Sequence, residues 1–160
     1  MNVYMTDVLG FEFRPEFYYN EDHVWAKLET DGTVRVGFDD IVAKGAHEIF
    51  YVKLLHEGTN VAQKKKLGVL ESRKYSGPIP SPISGEVLTV NEKVVRLGAH
   101  GFMEDPYGEG WLFIMKPSNL ESDLKHLKHG EDAAEWFKKA AEPLVHELAL
   151  FKEKHKDTGL

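Results

Sequence analysis

Lys74 is the residue whose position points most clearly to chemistry. An apolar run at 67–70 precedes it, the polar residues 71–73 adjoin it, and glycine and prolines punctuate 77–82 before a second alternating run at 86–90. This order predicts a strand, a turn and a second strand, and it places the lysine near the tip of the hairpin.

The chemistry expected of Lys74 follows from the properties of an exposed amine. Such an amine is almost fully protonated at neutral pH, so it is a poor nucleophile, and the sequence indicates no apolar pocket beside Lys74 and its neighbour Arg73. A lysine held out on a hairpin is instead a good substrate for an acylating enzyme, because the backbone presents the amine to an external active site. We therefore predict a modification site and not a catalytic lysine.

Three motifs carry a family resemblance. Glu71, Ser72 and Lys74, followed by Ser-Pro-Ile-Ser-Gly-Glu-Val at 81–87, resemble the lipoylation site of the glycine cleavage H-protein family, which belongs to the biotinyl/lipoyl carriers. Asp-His-Val-Trp at 22–25 resembles that family's His-Glu-Trp strand. Asp-Pro-Tyr-Gly-Glu-Gly-Trp-Leu, toward the end of the similar region, resembles a further family motif.

The resemblance covers roughly residues 17–128 and implies a fold. We expect a mainly β protein with added helices, built as a flattened β-barrel or sandwich of the lipoyl/biotinyl-carrier type. We divide the chain into an N-terminal arm at 1–16, a lipoyl-carrier domain (a barrel-sandwich hybrid) at 17–117, and a C-terminal helical segment at 118–160 packed on that domain.

The resemblance also implies a function and its partners. Lipoic acid would be attached covalently to Lys74 by a lipoyl ligase or lipoyltransferase, with Glu71 and Ser72 as recognition and turn residues. The lipoyl arm would shuttle an aminomethyl group from a pyridoxal-phosphate glycine decarboxylase to an aminomethyltransferase, and a dihydrolipoamide dehydrogenase would reoxidise it. The chain itself would be a non-catalytic carrier subunit, monomeric and cytoplasmic.

The tip departs from the family pattern, and two alternatives stay open. The family has a small aliphatic residue where Arg73 stands and alanines at the positions of Tyr75 and Ser76. Lipoate-binding relatives with altered tips serve a sulfur-oxidising route together with a heterodisulfide-reductase-like complex. The chain can also be an unmodified structural or interaction module.

Composition excludes several other classes. The 20 Lys and Arg against 26 Asp and Glu give a net charge of -6, which argues against nucleic acid and anionic membranes as partners. The chain has no cysteine, so it offers no disulfide, thiolate nucleophile or Cys-based metal site. No segment resembles a leader peptide, and no apolar run approaches membrane-spanning length.

Other catalytic and metal-binding patterns are missing from the sequence. His126 and His129 fall on one face of a predicted helix, but no His-Glu-x-x-His motif occurs, and we predict no metal site. No Gly-x-Ser-x-Gly motif of a serine hydrolase is present, and no methionine flanks Lys74 as it would in a biotin carrier.

The remaining segments give local expectations. Residues 48–55 read as a heavily buried strand, 91–92 as a turn, and 97–101 as a loop. A helix should begin near residue 118 and end at Gly130. The apolar stripe from 131 to 156 predicts helix again, and Pro143 within it predicts a kink or a break between two helices.

Overall fold

The computed structural model describes residues 6–45, 49–73 and 75–156, with side chains as far as Glu147. The strands are short and the last helix is long. In chain order, the strands are β1 (Asp7–Val8), β2 (Phe11–Glu12), β3 (Tyr18–Tyr19), β4 (Val24–Leu28), β5 (Val34–Phe38), β6 (Ile49–Leu54), β7 (Asn60–Val61), β8 (Lys66–Ser72), β9 (Ser76–Pro80), β10 (Gly85–Val90), β11 (Phe113–Pro117) and β12 (Lys128–His129). The helices are α1 (Asp40–Gly45), α2 (Glu92–Leu97), a 3-10 helix (Gly98–Gly101), α3 (Leu120–Leu124) and α4 (Gly130–Lys156).

The strands pair antiparallel in three sheets. The largest has the order β12-β3-β4-β5-β11-β10-β7, the second has the order β6-β8-β9, and β1 pairs with β2. The prediction of a mainly β protein with added helices, in a flattened barrel-sandwich arrangement, is confirmed. The predicted carrier hairpin is β8–β9, at one side of the three-stranded sheet.

One hydrophobic core lies between the seven-stranded and the three-stranded sheets. It takes side chains from β4, β5, β8, β9, β10 and β11, which alternate inward as expected of sheets with one buried face. Its fully buried members include Val24, Ala26, Val36, Leu67, Ile79, Val87 and Phe113.

A second core covers the other face of β4. There Trp25 and Tyr19 pack with Phe13, which follows the β1–β2 hairpin, and with Phe137 of α4. Residues from both ends of the chain thus share one cluster with the central strands. The proposed division of the chain at 16/17 and 117/118 stays a prediction.

A close approach between Trp25 and Gly37 shapes this second core. The two residues face each other across β4 and β5, and a Cβ on Gly37 would collide with the Trp25 ring. Glycine therefore lets the indole lie flat on the neighbouring strand. The Trp25 Nε1–H donates to the Phe38 carbonyl over 2.7 Å, so the buried indole keeps a hydrogen-bond partner.

Three predicted features of the middle of the chain are wrong. Strand β6 is not heavily buried, since Phe50 is 65% and Tyr51 46% exposed; it is an edge strand with a register shift at this point. The predicted turn at 91–92 is the start of α2, because the Asn91 side chain accepts the Lys93 N–H and caps a helix. The predicted loop at 97–101 is largely the 3-10 helix.

The helical segment also differs from its prediction. Helix α3 ends at Leu124, and Lys128–His129 forms a strand that pairs with β3. Gly130, with φ +64°, begins α4 and does not end the preceding helix. Pro143 lies inside α4, which continues through it as one helix, so the predicted break is wrong and the predicted kink stays a prediction. His126 lies in the turn after α3, so His126 and His129 share no helical face.

Substituting Phe137 should weaken the whole fold. Its side chain is fully buried, with ring centroids 5.1 Å from Phe13 and 6.3 Å from Tyr19. We expect Phe137→Ala to lower the free energy of unfolding by about 3–5 kcal/mol, measured by urea titration. The exposed neighbour Lys138 gives the control, and Lys138→Ala should change that free energy by less than about 0.5 kcal/mol. If Phe137→Ala lowered the free energy of unfolding by no more than Lys138→Ala does, the second core would add little stability.

Candidate functional site

The candidate site is the end of the β8–β9 hairpin. Leu70 pairs with Gly77 and Glu71 with Ser76, while Glu71 also pairs with Tyr51 of β6 on its other side. Leu70 is buried and Glu71 is exposed, so the hairpin presents the Glu71 carboxylate to solvent next to its tip. This placement suits the recognition role predicted for Glu71, which stays a prediction.

Ser72 and Tyr75 close the tip. The Ser72 N–H donates to the Tyr75 carbonyl over 2.6 Å, and the Tyr75 N–H donates to Ser72 Oγ over 3.0 Å. The Ser72 hydroxyl lies 3.2 Å from the same carbonyl. Ser72 thus holds both strands at the turn, and the recognition and turn role predicted for it stays a prediction. Arg73 between them is exposed, and Lys74 lies outside the described residues, so its modification stays a prediction.

Tyr75 lies back along β9. Its hydroxyl donates to the Pro78 carbonyl over 2.9 Å, and a Cβ on Gly77 would lie 3.0 Å from that hydroxyl. Burial raises the pKa of Tyr75, and the negative charge of Asp22 raises it further, so the hydroxyl keeps its proton and remains a donor. The side chain still leaves 45% of its surface exposed.

A cavity of about 320 Å³ opens beside the tip. Ser72 and Tyr75 form part of its wall, and most of the rest of the wall is apolar. The apolar wall comes from β5, α1, β8, β9 and α4, with the residues Phe38, Ile41, Val42, Leu70, Ile79 and Leu144. Glu21, Asp22 and His23, from the turn before β4, add the charged part. The sequence did not indicate this cavity.

His23, which lines the cavity, is hydrogen-bonded to the buried Asp39. His23 Nδ1 lies 2.7 Å from Asp39 Oδ2, and because a carboxylate only accepts, Nδ1 carries the proton. Asp39 is fully buried, and its other oxygen accepts the N–H groups of Ile41 and Val42 at the start of α1. Burial lowers the pKa of His23, but the charge and hydrogen bond of Asp39, helped by Asp22, outweigh burial and raise that pKa above its ordinary value.

Asn20 fixes the two sides of the cavity relative to each other. Its amide nitrogen donates to the Pro80 carbonyl at the end of β9, over 3.1 Å. Its side-chain oxygen accepts the N–H groups of Asp22 and Val24. Sequence reasoning missed Asn20 in this role, since its partner is 60 residues away. The pair of His23 and Asp39 was also missed, because the two residues come together only in the folded chain.

The family model described as glycine cleavage H-protein matches residues 17–140. The chain belongs to the glycine cleavage H-protein family. The match begins at the residue expected from the three motifs and extends beyond residue 128 into α4. The resemblance on which the fold prediction was based is confirmed.

Relatives of this H-protein family member include bacterial and archaeal proteins. Glycine cleavage system H protein 2 of Aquifex aeolicus is 42% identical over 128 residues, which are 79% of each chain. The probable glycine cleavage system H protein of Pyrococcus horikoshii is 38% identical over 134 residues, 84% of this chain and 98% of that one. The crystal structure of a glycine cleavage system H protein from Mycobacterium marinum matches with TM-score 0.66 and 26% identity, over 81% of this chain and 99% of that one.

A grouped metal site and a membrane-spanning helix are both missing from the described part of this H-protein family member. Within the part of the chain that the structure describes, no three His, Asp or Glu side chains are grouped to hold a metal ion. None of the helices among the described residues has the length and apolar character that crossing a membrane requires.

Removing the Ser72 hydroxyl should loosen the tip. In Ser72→Ala the Tyr75 N–H loses the acceptor it has in the folded hairpin, a loss of about 1 kcal/mol. We expect hydrogen exchange of the Tyr75 amide to become about 5- to 10-fold faster, as measured by NMR. Ser76→Ala, at an exposed serine in the same hairpin, is the control and should leave that rate unchanged. An unchanged rate in Ser72→Ala would mean that the strand pairing alone holds the tip.

His23 should make stability depend on pH. Its pKa is higher in the folded chain than in the unfolded one, so its contribution is complete below about pH 6.5 and is lost as the pH rises through its folded pKa. We expect the free-energy difference between the wild type and His23→Asn to shrink from pH 6 to pH 8 in urea titrations. Asparagine is chosen because residue 23 has φ +67°. His100→Asn, at an exposed histidine, should keep the wild-type slope.

Proposed function

We propose that this chain is a lipoyl carrier of glycine cleavage, with the lipoyl group bound through an amide to Lys74. The observation that carries the proposal is the hairpin tip closed by Ser72 and Tyr75, with an apolar cavity of about 320 Å³ that is lined in part by those same two residues. Membership of the H-protein family and the Glu71-Ser72-x-Lys74 motif support the same reading.

The residues beside the tip fit a lipoyl group. The lining is mainly aliphatic and aromatic, which suits a hydrocarbon chain that ends in a five-membered disulfide ring. Ile79 and Leu70 are buried and belong to the core, so their positions in the wall are fixed by packing. The arm on Lys74 would have an apolar surface within reach of its own attachment point.

The charged part of the cavity suits an amine. A lipoyl group supplies a disulfide. Once this disulfide has been opened, one of its sulfur atoms can carry an aminomethyl group from one enzyme to another. Glu21 and Asp22 give the lining of this region two carboxylates, and its one imidazole, that of His23, is paired with the buried Asp39. A positively charged amine is therefore favoured there over an anion.

The chain itself would catalyse no step. Its residues would position the arm. Ser72 and Tyr75 would fix the tip, and the lipoyl ligase or lipoyltransferase would bind Glu71. The tether would raise the arm's effective concentration at each partner. The partners are a pyridoxal-phosphate glycine decarboxylase, an aminomethyltransferase and a dihydrolipoamide dehydrogenase. The carrier would act as a monomer in the cytoplasm.

The altered tip supports a second candidate function. Tyr75 bonds back to Pro78 and leaves nearly half of its surface exposed, and Arg73 is exposed beside it. A partner protein that binds this tip would contact an aromatic ring and a guanidinium group, at positions where the family has small residues. The second candidate is therefore a lipoate carrier of sulfur oxidation, working with a heterodisulfide-reductase-like complex.

The proposal is tested by the mass of the protein purified from its own cells. We expect one lipoyl group, located by peptide mapping on Lys74, and none in Lys74→Arg. Lys93→Arg is the control, because Lys93 is a lysine of α2 and should leave the modification in place. Co-purification of glycine decarboxylase with the lipoylated protein supports the first function. Co-purification of a heterodisulfide-reductase-like complex supports the second function. An unmodified Lys74 in cells that lipoylate other carriers contradicts both functions and leaves a binding module.

A further inference from the structure

Strand β6 has an irregularity where it runs beside the hairpin tip. Ile49 pairs with Ser72 and Tyr51 pairs with Glu71. Those two partners are consecutive residues of β8, whereas on β6 Phe50 stands between the paired residues. Phe50 is therefore the extra residue of a β-bulge. A bulge bends an edge strand and changes the direction in which its side chains point.

The bulge turns two consecutive aromatic side chains to solvent. In a regular strand, residues two apart share a face, so Ile49 and Tyr51 would both face the core. Instead Ile49 packs against the first core while Tyr51 is 46% exposed. Phe50 is 65% exposed, more than any other large hydrophobic side chain among the described residues. Adjacent aromatic rings left in water are typical of a surface that another molecule covers.

The exposed rings adjoin the residues that flank Lys74. Tyr51 pairs with Glu71, and Glu71 pairs with Ser76, so these three exposed side chains share the outer face of the three-stranded sheet. The Glu71 carboxylate makes no ion pair with any other described residue. We call Phe50, Tyr51 and Glu71 the bulge face. None of its three residues lines the cavity beside the tip, so it is a separate surface.

We propose that the bulge face is the docking surface for the lipoyl ligase that modifies Lys74. The inference rests on the proposed carrier function and adds to Glu71 two recognition residues, Phe50 and Tyr51, on a different strand. The ligase surface that fits this face is apolar where it meets the two rings and carries a cationic side chain opposite the Glu71 carboxylate.

Attachment of the lipoyl group requires closer contact than any later use of the arm. The uncharged Lys74 amine attacks the carbonyl carbon of lipoyl-adenylate, which the ligase makes from lipoate and ATP. The amide bond forms, the bond from the carbonyl carbon to the phosphate oxygen breaks, AMP leaves, and a base accepts the proton from nitrogen. The Lys74 nitrogen itself must therefore enter the active site, so the ligase meets the residues beside the tip. An enzyme that uses the finished arm binds its far end and needs no contact with β6.

Lipoylation kinetics test the proposal. The unmodified protein is given to the lipoyl ligase of the same cells with ATP and lipoate, and the gain in mass is followed with time. We expect Phe50→Thr and Tyr51→Thr each to raise KM for the protein about tenfold or more with kcat kept, because aromatic side chains carry much of the binding free energy of an interface. Threonine is chosen because it keeps the preference for a strand. Tyr51→Phe, which retains the ring, should keep the wild-type KM.

Leu88 provides a matched control. It is also the extra residue of a bulge, since Val87 pairs with Met115 and Thr89 with Ile114, and it is 39% exposed. It lies on β10 of the seven-stranded sheet and not on the sheet that carries the tip. Leu88→Thr should leave KM unchanged. Near-ultraviolet circular dichroism and the midpoint of thermal unfolding check that each variant is folded.

A second assay separates attachment of the arm from its use. Each variant is lipoylated to completion, and the reduction of its arm by a dihydrolipoamide dehydrogenase is measured with NADH as the reductant. We expect wild-type rates in Phe50→Thr and Tyr51→Thr, because this enzyme acts on the far end of the arm.

The outcomes separate the docking surface from the carrier function. Unchanged lipoylation kinetics in Phe50→Thr and Tyr51→Thr, with the lipoyl group found on Lys74 of the wild type, overturn the docking surface and leave the carrier function intact. Parallel losses in both assays assign the bulge face to enzymes that use the arm, and a wild-type dimer that Phe50→Thr abolishes in sedimentation assigns it to a second copy; either result overturns the proposal. Protein from its own cells without a lipoyl group on Lys74 overturns the carrier function, and the docking surface with it.

Discussion

The packing of Trp25 flat against Gly37 is the constraint on which much of the structure depends. Because the indole occupies the face of β4 that points away from the first core, that face cannot be left to solvent. The β1–β2 hairpin and α4 cover it, and Phe13 and Phe137 pack together there. Once α4 is held on this face, Trp136 reaches His23 and Leu144 reaches Gly45. The walls beside the functional tip thus follow from a contact made in the central strands.

The parts of the fold that were predictable from sequence are those specified by local pattern. The β8–β9 hairpin follows from an apolar run that ends in polar residues and returns through glycine and proline. Where local patterns are ambiguous the prediction was wrong: Asn91 fits a turn and a helix cap equally well, and tertiary packing of Val94 decides for the helix.

Burial and long-range pairing were less accessible from sequence. Phe50 and Tyr51 have the composition of a buried strand, yet they lie exposed on an edge strand beside the tip, and nothing in a single sequence separates these cases. The cavity was missed because its lining comes from segments as distant as Asp22, Ile79 and Leu144. The tip residues Glu71 and Ser72 could be named because motif and chemistry are contiguous, whereas His23 and Asp39 become partners only through the pairing of β4 with β5.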